Sequence, residues 1–151
     1  MTSTTFTAMS LLNFTRGTWR QYYGIFLLCA LSFTGAAHAQ PELRCEVTYA
    51  GTTHVLKAQP VQDPYSVEAV DIGGRFLFKM VMVGRETQLA YINLYVYLQQ
   101  EPRPVIVQEV KYLPPFRNTP KPFGFTGEQH VYAGPIEREL IYRCGLRGLP
   151  S

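Results

Sequence analysis

Gln88-Leu89-Ala90-Tyr91-Ile92-Asn93-Leu94-Tyr95-Val96-Tyr97-Leu98 decides the fold class. Extended backbone sends successive side chains to opposite faces, so Ala90, Ile92, Leu94, Val96 and Leu98 share one face while Tyr91, Asn93, Tyr95 and Tyr97 share the other. A helix would scatter both sets around its circumference. Upstream, Phe76, Phe78, Met80 and Met82 alternate with Arg75, Leu77, Lys79, Val81 and Val83. Both sets are largely apolar beyond Lys79, which predicts a central strand covered on both sides. Downstream, Glu101-Pro102-Arg103-Pro104 ends the run and Val105 to Leu113 forms the next strand.

The same period of two extends over the rest of the chain from Leu43. Leu43, Cys45, Val47 and Tyr49 oppose Arg44, Glu46 and Thr48, and Ala50-Gly51 turns the chain into Thr53 to Ala58. A third strand is expected over Tyr65 to Ile72, after Asp63-Pro64 and before Gly73-Gly74. Closing strands are expected over Glu128 to Ala133 and Glu139 to Leu146, around Gly134-Pro135. Seven to eight short strands with turn signals between them predict an all-β domain, either an antiparallel β-sandwich of immunoglobulin-like kind or a small barrel. An immunoglobulin domain normally buries a Trp between closer cysteines, and the only Trp here is Trp19, ahead of every strand.

Residues 1–39 carry the three parts of a cleavable signal peptide. A polar leader holds Arg16 and Arg20 and no acidic residue, Ile25 to Leu31 is apolar, and Ala37-His38-Ala39 is a small-x-small cleavage site. The apolar stretch is about half of the roughly 20 residues that span a bilayer, so no stable membrane insertion is expected after cleavage. The expected product is a single domain, 40–151, periplasmic or secreted from a bacterium. Of the 14 Lys+Arg and 11 Asp+Glu in the chain, Arg16 and Arg20 leave with the signal. The domain is then nearly neutral and lacks the basic footprint of a nucleic-acid binder.

Cys29 lies in the apolar stretch behind Leu28, where no small residue supports acylation. Cys45 and Cys144 remain, an even pair that in an oxidising compartment reads as a disulfide. Their spacing matches no zinc pattern. Cysteines near both ends of an all-β body, with Tyr142-Arg143-Cys144 followed by a short tail, are similar in placement to those of small periplasmic inhibitors of host lysozymes. The similarity is confined to the cysteine arrangement and assigns no family.

The inventory for catalysis is thin. Ser66 lacks the glycines of a nucleophile elbow. His54 and His130 each precede a valine in a strand and are weak metal candidates, able to meet on a sheet face with Glu46, Asp71 or Glu128, but no short-spaced pair anchors such a site. Glu137 and Glu139 flank Arg138 beside a proline turn, a position that favours solubility and edge protection. No catalytic residue, metal or other cofactor is assigned.

Binding residues are better represented. Tyr91, Tyr95 and Tyr97 offer rigid, amphipathic area of the kind enriched at interfaces. The Pro-rich loop after Leu113 carries Phe116, Phe123 and Phe125, which either cover the open end of the fold or recognise a partner. The absence of a Trp platform argues against polysaccharide binding, although tyrosines substitute in part. The expected function is an exported, non-enzymatic module that binds a protein or cell-envelope partner. The alternatives are a small metal-dependent hydrolase using His54 and His130, or a small-ligand carrier. An exposed edge strand would also allow a homodimer.

Overall fold

A computed structural model describes residues 40–85, 88–119, 121 and 123–150; the signal peptide expected over 1–39 lies outside them. Eight strands follow in order: β1 (Glu42–Tyr49), β2 (Thr52–Ala58), β3 (Val70–Ile72), β4 (Phe76–Arg85), β5 (Gln88–Leu98), β6 (Val105–Tyr112), β7 (Glu128–Ala133) and β8 (Arg138–Arg147). They form two antiparallel sheets of four, β2-β1-β8-β7 and β3-β4-β5-β6, which makes the domain a sandwich and not a closed barrel. The second sheet is a simple meander. In the first, the N-terminal and C-terminal hairpins are joined where β1 pairs with β8. This order differs from the ABED and CFG sheets of an immunoglobulin domain.

Turn chemistry explains the boundaries. Ala50 and Gly51 both have positive φ (49° and 81°), and Tyr49 pairs with Thr52 across them. Two left-handed residues in a two-residue loop match the twist of the flanking strands. The third strand is shorter than its sequence suggested. Asp63 accepts from the Tyr65 N–H at 2.9 Å, Pro64 opens a 3-10 turn over Pro64–Ser66, and the Ser66 hydroxyl donates to the Asp63 carbonyl at 2.8 Å. These local bonds compete with extension, so only Val70–Ile72 joins the sheet.

The inner faces interlock as one cluster. Leu43, Cys45 and Val47 of β1 and Leu140, Tyr142, Cys144 and Leu146 of β8 meet Phe76, Phe78 and Met82 of β4 and Ile92, Leu94 and Val96 of β5, all essentially without solvent contact. Tyr142 is the largest of these side chains, its ring 5.1 Å from that of Phe78. On β4 the expected two-sided cover is realised in part: Val81, on the outer face, is 3% exposed, whereas Leu77, Lys79 and Val83 are half-buried.

Cys45 stands directly opposite Cys144 in the β1–β8 register, with Cα atoms 4.1 Å apart, and the two form a disulfide. It ties the first strand to the last within one sheet. Both sulfurs belong to the buried core, and the bridge closes a separation of 99 residues. Replacing both cysteines by alanine should lower unfolding free energy by about 2–5 kcal/mol, measured by urea denaturation, because the open chain regains the entropy of a very long loop. A change below about 1 kcal/mol would show that the pairing of β1 with β8 holds without the bridge.

Candidate functional site

The tyrosine stripe lies on the outer face of the meander. Ile92, Leu94 and Val96 point into the sandwich, so the alternation of β5 forces Tyr91, Asn93, Tyr95 and Tyr97 outward. Register sets Lys79, Tyr95 and Glu109 in one row across the sheet, and Leu77, Tyr97 and Ile106 in the next. All three tyrosines are half-buried by their neighbours. Asn93, only 6% exposed, forms the floor between them and donates through Nδ2 to the Tyr95 hydroxyl at 2.6 Å and to Glu109 Oε1 at 3.1 Å. The Tyr95 and Tyr97 rings stack with centroids 6.1 Å apart, and Lys111 Nζ sits 4.3 Å from the Tyr91 ring centre. Burial pushes the Tyr97 phenol above its ordinary value, with Tyr95 and Glu109 adding to it, so the hydroxyl stays neutral. At the end of this face Ile106 and the neighbouring Val105 are about half exposed, at 51% and 48%.

The loop phenylalanines do not join that surface. Phe125 packs 4.7 Å from Tyr112 and Phe116 packs 6.3 Å from Phe125, both against the core margin. Phe123 instead lies on the outside of the other sheet, with the Arg44 and Arg143 guanidinium carbons 5.4 and 5.1 Å from its ring centre. The loop is pinned along β8. Thr119 exchanges bonds with Leu146, its N–H donating to the carbonyl at 3.1 Å and its hydroxyl accepting at 3.2 Å. The Phe125 N–H donates to the Cys144 carbonyl at 3.0 Å, and the Thr126 hydroxyl accepts from the Cys144 N–H at 2.8 Å. Gly145 permits this approach, since a Cβ there would lie 3.0 Å from the Phe123 nitrogen. The six aromatic residues grouped by sequence therefore occupy separate places, and only the tyrosines form a shared outer face.

The two histidines also part. His54 pairs with inward-facing Val47 on edge strand β2, whereas His130 lies on the outer face of β7, at the opposite edge of the same sheet. They do not meet on one face, so the weak possibility of a metal site shared by the two is not realised. His130 Nδ1 is 2.6 Å from Glu139 Oε1 and its Nε2 is 3.3 Å from Glu128 Oε1, so the carboxylates sit at opposite ends of the ring and do not converge on one point. Among the described residues no group of three or more His, Cys, Asp or Glu side chains is arranged to hold a metal ion. Ser66 is exposed and engaged in its turn, and Glu137, at φ 46°, belongs to the β7–β8 turn and not to a strand.

What the histidine does join is a chain of alternating charge across the outer face. Arg44 contacts Glu46 at 3.5 Å, Arg143 donates to Glu46 at 3.2 and 3.1 Å and approaches Glu128 at 3.8 Å, and Glu128 contacts His130. Beyond His130, Glu139 also accepts from the Tyr132 hydroxyl at 2.6 Å. The sequence signal for this network is hairpin register: Tyr132 pairs with Glu139 and His130 with Ile141, which puts Glu139 diagonally beside the imidazole.

No protein-family model matches the chain, and no curated protein or solved structure matches it significantly.

The Glu139 hydrogen bond raises the His130 pKa above 6.5; desolvation opposes it, and the Glu128 hydrogen bond adds a smaller contribution in the raising direction. Bonds from Tyr132 first and His130 second lower that of Glu139 below 4.5. The histidine's stabilisation is complete below its ordinary value and is lost as pH rises through the raised one. That of the glutamate is present above its ordinary value and lost as pH falls through the lowered one. Thermal stability should therefore decline on the alkaline side of 6.5 in the native protein and lose that component in His130→Ala. An NMR titration placing the imidazole at or below 6.5 would refute the arrangement.

Proposed function

We propose that the chain is an exported, non-enzymatic module that recognises a protein or cell-envelope partner through the outer face of the β3-β4-β5-β6 sheet. The observation that carries this is the half-exposed row of Tyr91, Tyr95 and Tyr97, continued by Leu77 and Ile106, on a sheet whose other face is committed to the core. Aromatic area of this kind binds at low entropic cost, because each tyrosine has only two side-chain torsions to fix. Export is supported by the signal-like leader over 1–39 and by a buried disulfide, which belongs to oxidising compartments. The non-enzymatic reading is supported by the engagement of the polar groups described above. His130 and Glu139 are bound to each other, and Ser66 is bound within its own turn.

Tyr95→Ala combined with Tyr97→Ala should abolish capture of a specific partner that the native protein recovers from envelope extract, weakening binding by at least about tenfold. Phe123→Ala, on the other sheet, should leave that capture intact. Retention of the partner by the tyrosine variant, with its fold verified by circular dichroism, would exclude this face.

A further inference from the structure

The four edges of the two sheets are not equally closed. β3 is three residues long and is extended by Val61, which bonds to Met82 and Gly84 of β4. Beside β8, β7 is continued by the loop bonds from Thr119, Phe125 and Thr126. β2 has seven residues, and its single lysine, Lys57, is paired with Glu42 at 3.3 Å. β6 is the longest edge at eight residues, and among the described residues its backbone bonds to β5 alone. Its two charged side chains, Glu109 and Lys111, are exposed and form no salt bridge among the described residues. An unpaired edge of this length is a template for another strand.

We propose that the partner strand is β6 of a second copy, added antiparallel about a twofold axis at Val110. The register follows from pleat and charge. Glu109 and Lys111 face outward opposite Tyr95 and Asn93, while Gln108, Val110 and Tyr112 face inward opposite Val96, Leu94 and Ile92. Any register offset by one residue sets outward side chains against inward ones and is excluded. Of the in-phase centres, Gln108 carries the partner into the bulge beside Val96 and Tyr97, and Tyr112 carries it into Pro114, which has no N–H to donate. Centres at Glu109 or Lys111 set identical charges directly opposite each other, which destabilises a ladder.

Centred on Val110, Glu109 of each copy faces Lys111 of the other, and the strip is complementary to itself, as a twofold interface requires. Residues 108–112 then pair along about the length of an ordinary strand. Just beyond this ladder Leu113, 65% exposed in one copy, comes beside the bulge at Val107 of the second. Gln108, whose side-chain oxygen is buried without a hydrogen-bond partner, comes opposite Tyr112. The product is a continuous eight-stranded sheet carrying two tyrosine rows on one face. The inference rests on the edge strand and not on the recognition proposed for the tyrosine face.

The test is sedimentation equilibrium on protein purified from cells expressing the full chain, across micromolar to millimolar concentrations. The native protein should be a dimer. Glu109→Lys and Lys111→Glu should each weaken self-association by about tenfold or more, because each sets like charges opposite twice. An equimolar mixture of the two variants should dimerise again, since each then meets its opposite, and this rescue also certifies that both are folded. A monomeric native protein, single variants that dimerise as well as the native chain, or a mixture that stays monomeric would each overturn the proposal. So would capture of a different protein's strand by β6 in place of a second copy.

Discussion

The pairing of β1 with β8 is the constraint on which the rest depends. The meander of β3 to β6 joins neighbours in sequence and needs only short loops, whereas the other sheet exists only if the two ends of the domain meet. Joining strands so far apart carries a large loop-closure entropy, and the reward comes late, when both inner faces are covered. The Cys45–Cys144 bridge removes that cost from the folded side of the balance by restricting the unfolded chain. It sits at a directly opposed pair in the core, so it also locks the phase of both strands. A slip by one residue would turn outward either Leu43 and Val47 of β1 or Tyr142 and Leu146 of β8.

Strands whose two faces differ in polarity were readable from sequence. Over Ile92–Leu98 the faces were legible because apolar residues alternate with tyrosines and an asparagine, whereas the bulge at Val83/Gly84 turns Leu89 inward and leaves Ala90, expected on the inner face, exposed. The expected disulfide pair is the one formed. Tyr65 to Ile72 misled because Val67 and Val70 carry strand character, while Asp63 and Pro64 start a turn whose hydrogen bonds decide the first part of the segment. Phe116, Phe123 and Phe125 lie close in sequence and look like one feature. Their separation depends on which β8 carbonyls the loop meets, and composition carries no trace of that. His130 was visible as a residue, but its bonds to Glu139 and Glu128 required the register of β7 on β8.

The two outer faces solve opposite problems. On the β2-β1-β8-β7 sheet, charges alternate from Arg44 to Glu139 so that each carboxylate has at least one cationic or hydroxyl neighbour, and Phe123 is covered by guanidinium groups. Such a surface has little unsatisfied chemistry to offer a partner. The opposite face holds neutral phenols, an aliphatic margin at Ile106 and two charges without ionic partners among the described residues. Covering phenol rings and aliphatic groups is favourable, whereas stripping solvent from a completed ion-pair chain is costly, and this contrast supports placing the proposed association on the tyrosine side.

The edges follow the same division. β7 has six residues against ten in β8, which leaves Cys144 and Leu146, paired with β1 on one side, without a strand on the β7 side. The loop supplies what a longer β7 would have supplied, with threonine hydroxyls standing in for backbone acceptors at two positions. Buried backbone groups must find partners, and in this way the loop both satisfies β8 and keeps another chain from doing so. Outside the loop itself, its backbone bonds among the described residues go to β8. The same chain leaves β6 at Tyr112, crosses to β8 by Thr119, and among the described residues makes no backbone bond to the β6 edge it has just left. The cover over the exposed backbone of β8 and the openness of the β6 edge therefore share a cause, the passage of the chain from Tyr112 to Thr119.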